Sequence, residues 1–272
     1  MGAELVEELR RRSADQPGLA AMTAMYQDLL SLESSMEQDL PLPTVAREDV
    51  GARLSRRVPA LAPEDVREYA PLFRQHWDQV CAITLRHRAD LSSGVEEIRA
   101  WAGVDGNLER MAEQYLRGEL DLISQEAGLD LSLLQFLINH TLHPFLRRYA
   151  QALAPFIDRE SWYQPYCPVC GGEPDFAVLS KPHGARRLLC SRCDFEWPYR
   201  RTSCPFCGCE DPEQYQYVPS DDNIYRLYLC DHCHRYLKTL DEREVLGERL
   251  LPVERIVTLP MDMAAHQAGY GE

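Results

Sequence analysis

Eight of the ten cysteines in this 272-residue chain fall into four Cys-x-x-Cys pairs: Cys167/Cys170, Cys190/Cys193, Cys204/Cys207 and Cys230/Cys233. Two residues between cysteines let one tight turn aim both sulfurs at a single ion, and two such turns complete a tetrahedral thiolate site. Four turns therefore predict two metal centres.

The pairs also repeat as a unit. Cys167-Pro-Val-Cys-Gly171 parallels Cys204-Pro-Phe-Cys-Gly208, and Arg187-Leu-Leu-Cys190 parallels Arg226-Leu-Tyr-Leu-Cys230. A Cys-Pro-x-Cys-Gly turn, then a short apolar strand running into a second Cys-x-x-Cys, occurs twice. The repeat favours Cys167, Cys170, Cys190 and Cys193 as one ligand set and Cys204, Cys207, Cys230 and Cys233 as the other. An interleaved pairing is the alternative. The glycine after each first knuckle can take φ > 0 and turn backbone N–H groups towards the sulfurs.

Other residues invite chemistry without the spacing to support it. Cys209 lies just past a knuckle and reads as a spare thiol, and Cys81 as a small core hydrophobe. His140 and His143 share a helix face, but no carboxylate sits at matching spacing, so packing or capping is expected. His232 and His234 flank Cys233, where four thiolates already suffice. No P-loop, dinucleotide fingerprint or Gly-x-Ser-x-Gly elbow is present, and no enzyme active site is indicated.

Composition narrows the partners. Net charge is −14, from 29 basic and 43 acidic residues. The acidity is spread out: residues 160–245 hold 10 basic and 14 acidic side chains before any thiolate is counted. A nucleic-acid-binding ribbon needs a basic face to displace counterions, so that class is disfavoured. The basic clusters Arg10–Arg12, Arg56–Arg57 and Arg147–Arg148 read as solvated helix faces or loops. No stretch approaches the roughly 20 apolar residues of a membrane-spanning helix. The opening Met-Gly-Ala-Glu-Leu lacks the apolar core of an export signal, so a reducing compartment is expected. Paired cysteines there read as metal ligands rather than as a secreted disulfide scaffold.

The elements that must carry these residues fall in two textures. Residues 1–160 read as helices. Asp15 and Pro17 open one that carries Leu19, Met22, Tyr26, Leu29 and Leu30, and Pro41 and Pro43 stop it. A short helix follows at 48–57. Pro63-Glu64-Asp65 starts the next, with Tyr69, Leu72, Phe73, Trp77, Val80 and Leu85 facing inward. Ser93 to Glu96 has a capping-box pattern, Asn107 is placed as a cap, and a further helix begins near Gly118 and ends at Gly128. Asp130 caps a long helix through Leu134, Leu137, Ile138, Leu142, Phe145 and Tyr149, with a kink expected at Pro144. From Trp162 the texture changes to short aromatic and β-branched runs between cysteine turns.

The second half resembles the formate dehydrogenase accessory protein FdhE family. The matching residues are Cys167-Pro-Val-Cys-Gly-Gly-Glu-Pro174, Arg187-Leu-Leu-Cys-Ser-Arg-Cys193, Trp197, Arg200 or Arg201, Cys204-Pro-Phe-Cys-Gly208 and Cys230-Asp-His-Cys-His-Arg-Tyr-Leu-Lys238. The tail from Arg255 to Tyr270, with Asp262 and Gly269, is similar too. The likeness covers about a hundred residues and is looser over 1–160, where His140-Thr-Leu-His-Pro-Phe-Leu146 is the nearest match.

The resemblance implies a cytoplasmic, non-enzymatic accessory protein that binds the catalytic subunit of respiratory formate dehydrogenase before export. It also implies rubredoxin-like sites, with iron favoured and zinc chemically equivalent in a tetrathiolate set. The expected fold is α+β: a helical domain at 1–160, rubredoxin-like four-cysteine ribbons at 161–200 and 201–245, and a tail at 246–272. No nucleic acid and no membrane insertion are expected, and a homodimer is left open. A rubredoxin-type electron carrier is the alternative function.

Overall fold

The computed structural model describes residues 2–14, 17–44 and 47–271. Helices α1 (Gly2–Ser13), α2 (Pro17–Asp39), α3 (Arg47–Ser55), α4 (Ala70–His87), α5 (Ser92–Ala102), α6 (Asn107–Arg117), α7 (Leu120–Ala127) and α8 (Leu131–Leu153) come first. Strands β1 (Pro174–Ser180), β2 (Ala185–Cys190), β3 (Glu196–Pro198), β4 (Tyr215–Pro219), β5 (Tyr225–Cys230) and β6 (Arg235–Asp241) follow, then α9 (Leu251–Val257) and α10 (Leu259–Gln267). The α+β class with a helical first part is as the sequence predicts.

Contacts divide the chain into two compact units, Met1–Val6 with Ala24–Phe156 and Val169–Gly171, and Glu7–Thr23 with Ile157–Pro168 and Gly172–Glu272. In the helical unit, α4 and α8 meet through Phe73 and Phe145, ring centroids 4.9 Å apart and edge to face. Tyr69 packs on the same Phe145 ring. Such pairs add roughly 0.5–1.5 kcal/mol beyond their buried area. Trp77, Val80 and Cys81 continue the buried stripe of α4. The Asp130 carboxylate accepts from the Leu133 N–H at 2.7 Å, which starts α8 as predicted.

Several local expectations shift. Pro63–Tyr69 is a 3-10 turn before α4 rather than its first turns, and Leu72 is 37% exposed. Asn107 is not a cap; α6 begins there, and its side-chain amide donates to the Trp101 carbonyl. Ser93 lies inside α5 and reaches forward to Glu97. Gly118 closes α6 in the left-handed conformation, and the next helix, α7, begins two residues on and ends at Gly128 as expected. Asp15 lies outside the described residues. Helix α8 continues through Pro144. The basic clusters are not all solvated. Arg12 pairs with buried Glu254 at 2.6 Å and donates to the Tyr225 hydroxyl, and Arg147 pairs with Glu37 at 3.4 Å.

In the second unit, the two cysteine repeats contribute three strands each to one six-stranded sheet, in the order β3-β2-β1-β6-β5-β4. Neighbours are antiparallel except at the centre, where β1 and β6 run parallel from Phe176↔Lys238 to Leu179↔Asp241. The repeats are thus joined head to tail, the first strand of one against the third strand of the other. Phe176, Leu189, Leu240 and Val245 form a buried cluster in this unit.

Candidate metal centres

The cysteine turns are built alike. After each first knuckle a glycine is left-handed, Gly171 at φ 74° and Gly208 at φ 75°. The Cys167 N–H donates to the Gly172 carbonyl and the Cys204 N–H to the Cys209 carbonyl, both at 2.9 Å. The second knuckles match too: Asp194 and His234 are left-handed, and their N–H groups return to Cys190 and Cys230. Gly172 lets the chain approach the sulfur closely, since a Cβ there would stand 2.9 Å from Cys190 Sγ.

These turns gather two groups of four sulfurs, Cys167/Cys170/Cys190/Cys193 and Cys204/Cys207/Cys230/Cys233, each group within 4.8 Å of one another. Both groups are able to hold a metal ion. None of the ten cysteines forms a disulfide. The Sγ–Sγ distances are 3.6 Å for Cys167–Cys193, 3.8 Å for Cys204–Cys233 and 3.6 Å for Cys207–Cys230. Four sulfurs about 2.3 Å from a central ion would stand about 3.8 Å apart, so the spacing fits a tetrathiolate ion. Sulfur donors suit iron and zinc alike.

The surroundings of the groups differ. In the first group all four cysteines are buried, none above 4% exposed. The Arg192 N–H lies 3.4 Å from Cys190 Sγ. Arg255, from α9, donates to the Cys190 carbonyl at 2.9 Å and pairs with Asp194 and Asp175. In the second group Cys204 and Cys230 are buried, Cys233 is half-buried and Cys207 is exposed. As free thiols, burial pushes Cys204 far up and Cys230 up to about 11. Burial opposes ionisation of Cys207 too, but the Cys209 N–H, the neighbouring sulfurs and His232 outweigh it and lower the thiol to about 7.

The flanking residues take clear places. His232 faces Cys207 without joining the sulfur group. Cys209 stays outside the group and is half-buried. Arg235 stacks on Phe206, between two of the sulfurs' residues, 3.8 Å from its ring, and pairs with Glu173. The tail is bound to this region. Lys238 and the Tyr236 hydroxyl both donate to Asp262, Tyr270 donates to Asp231, and the Gly271 N–H donates to the His234 carbonyl.

Sequence spacing missed one further cluster, in the helical unit. His140 and His143 do have a carboxylate partner: Glu33, from α2. Their Nδ1 atoms donate to its two oxygens at 2.7 and 2.8 Å. Burial works against the Glu33 carboxylate, and the two imidazoles, His143 foremost, more than offset it and hold it well below the ordinary range. Fully buried His76 lies nearby, its imidazole pushed down to about 4 by burial. The partners stand over a hundred residues apart in sequence, so only the buried acids on one face of α2, Glu33 and Glu37, signal the cluster.

Comparison with known proteins bears on this geometry. A family model described as "FdhE, central domain" matches residues 166–201. A protein from Aquifex aeolicus named "Protein FdhE homolog" is 32% identical over 157 residues, covering 56% of this chain and 54% of that protein. A protein of the same name from Haemophilus ducreyi is 28% identical over 166 residues, covering 60% of this chain and 52% of its own. A third, from Shewanella baltica, is 34% identical over 111 residues and 36% of its length. The matches therefore span about half, or less, of these relatives. The crystal structure of the FdhE protein from Pseudomonas aeruginosa superposes on the whole chain and on 92% of that structure, with a TM-score of 0.71 at 22% identity, which establishes a common fold. Family model, curated relatives and fold all show similarity to FdhE proteins.

Proposed function

We propose that the chain is a cytoplasmic accessory protein for assembly of respiratory formate dehydrogenase, which binds the catalytic subunit before export. The observation that carries the reading is the pair of sulfur groups, the first of which lies within the residues that match the FdhE central-domain model. Cys167, Cys170, Cys190 and Cys193 would hold one ion, and Cys204, Cys207, Cys230 and Cys233 the other. The family resemblance favours iron. Bound metal would fix the cysteine turns, and iron would add one-electron redox chemistry. The protein's own part is to hold the eight sulfurs in register through the sheet, to exclude water from the first group, and to tie the tail to the second. The test is co-purification from a host respiring formate. The expected result is recovery of the formate dehydrogenase catalytic subunit with the intact chain and its loss with the Cys204→Ser/Cys207→Ser variant. Failure of the wild-type chain to retain that subunit would overturn the reading.

A second reading, a rubredoxin-type electron carrier, is favoured by the exposure of Cys207. It requires reversible reduction of iron-loaded protein by a reductase at rates that survive dilution. Reduction confined to strong chemical reductants would count against it.

A further inference from the structure

Beyond the sulfur groups, one end of the sheet gathers arginines, two of which no ion pair among the described residues neutralises. The β1–β2 turn passes through Gly184, buried and left-handed at φ 71°. A Cβ at Gly184 would meet Arg243 Nη1 at 2.9 Å and Arg201 Nη1 at 3.1 Å, so two guanidiniums converge on one point over bare backbone. Two residues on, Arg186 is 2% exposed. Its Nη1 donates to the carbonyls of Arg200 and Ser203, and its guanidinium lies 4.5 Å from the centre of the Tyr228 ring. Arg186 Nε and Nη2, together with the hydroxyls of Ser203 and Tyr215, are buried without a hydrogen-bond partner.

Most of the nearby carboxylates are already engaged, and Glu244 adds to the negative charge felt by Arg243. Asp241 is shared by Arg226 and Arg243, Arg187 takes both Glu196 and Glu242, and Glu210 pairs with Arg200. Among the described residues Arg186 and Arg201 form no ion pair. An unpaired buried charge is costly, and like charges brought together add to that cost. A chain of net charge −14 had acids enough to balance these two. Paired guanidinium forks are matched by oxyanions, which accept several charge-assisted hydrogen bonds at once. Two unbalanced positive charges match a dianion.

We propose that Arg201 and Arg243 above Gly184, backed by Arg186 and Ser203, form a binding site for a phosphate-type dianion. The site is independent of the metal centres and of the formate dehydrogenase reading. Bare glycine backbone leaves room for the ligand oxygens, and Asp241 holds Arg243 in place from the opposite side.

The test titrates inorganic phosphate into the metal-loaded full-length chain at constant ionic strength, read by calorimetry and by thermal melting. Saturable binding is expected, with a raised melting temperature that chloride at equal ionic strength does not reproduce. Arg201→Gln breaks no ion pair, so its circular dichroism and metal content should match the wild type while phosphate affinity falls at least tenfold. Arg201→Lys should lie between the two, since it keeps the charge and loses the fork. Glycerol phosphate run in parallel separates the sources: tighter binding than phosphate points to a phosphorylated small molecule, and weaker binding to the free anion. Absence of saturable binding, an equal effect of chloride, or unchanged affinity in Arg201→Gln would each overturn the site.

Discussion

Cys167, Cys170, Cys190 and Cys193 are sealed from solvent, whereas the group that repeats their spacing leaves Cys207 exposed and Cys233 half-buried. The local turns are the same, down to the left-handed glycine and the returning N–H groups. What differs is the company each repeat keeps in the sheet. Strand β1 runs between β2 and β6 and is buried at most positions, while its counterpart β4 is an edge strand with β5 as its sole neighbour and four exposed residues. A head-to-tail joint gives equivalent strands unequal neighbours. Two copies of one motif therefore become a sealed group and a solvent-exposed one.

The largest effect that would test this contrast is expected from Cys167→Ser/Cys170→Ser. Apparent metal-binding energies of about 10–16 kcal/mol equal or exceed the roughly 5–15 kcal/mol that holds an ordinary domain together. Loss of the first ion should therefore halve the metal content and abolish cooperative melting of the sheet unit. Cys204→Ser/Cys207→Ser should also remove one ion but leave a cooperative transition at lower temperature. Equal collapse of both variants would break the contrast.

Next in size is metal release. Under excess chelator at neutral pH, loss should be biphasic, with the fast phase at least tenfold faster and absent from the Cys204→Ser/Cys207→Ser protein. A single phase would mean that exposure of Cys207 does not govern access.

A pH effect that lies outside both sulfur groups sets the range for such comparisons. Buried His76 titrates at about 4 in the folded chain, below the unfolded value of about 6.5. A depressed histidine contributes stability above the unfolded value and loses it as pH falls towards the folded one. About 2–3 kcal/mol should therefore disappear between pH 6.5 and 4, at about 1.4 kcal/mol per pH unit. Glu33 acts in the same direction at lower pH, because its carboxylate is held below the ordinary range. Denaturant melts across that interval should slope less in His76→Asn, and an unchanged slope would remove His76 as the cause.

The smallest effect is expected from Cys209→Ser. This residue serves the second group through its main chain, accepting from the Cys204 N–H, and a serine keeps that bond. Metal content should stay at the wild-type level; loss of an ion would make Cys209 a ligand and redraw the open site.

The parts of the molecule legible in advance share a short range. Cys-x-x-Cys turns, the glycine that follows each first knuckle, the Asp130 cap and the apolar stripe of α4 are set by residues within a few positions of one another. The misreadings at Asn107 and Ser93 fell at helix ends, where one residue's backbone conformation decides between cap and first turn. Arg12 and Arg147 looked like surface charge because their partners, Glu254 and Glu37, lie over a hundred positions away.

By itself the sequence determined that eight thiols form two groups of four, that a helical part precedes a strand part, and that the chain resembles FdhE proteins. The first two follow from spacing and periodicity, which act locally, and the resemblance from matching runs of residues. Only the tertiary structure decided that the repeats share one sheet through β1 and β6, that one sulfur group is sealed and the other open, that Glu33 lies between His140 and His143, and that Arg201 meets Arg243 over Gly184. Each of these depends on which distant segments become neighbours, and burial and charge balance are properties of neighbours rather than of residues.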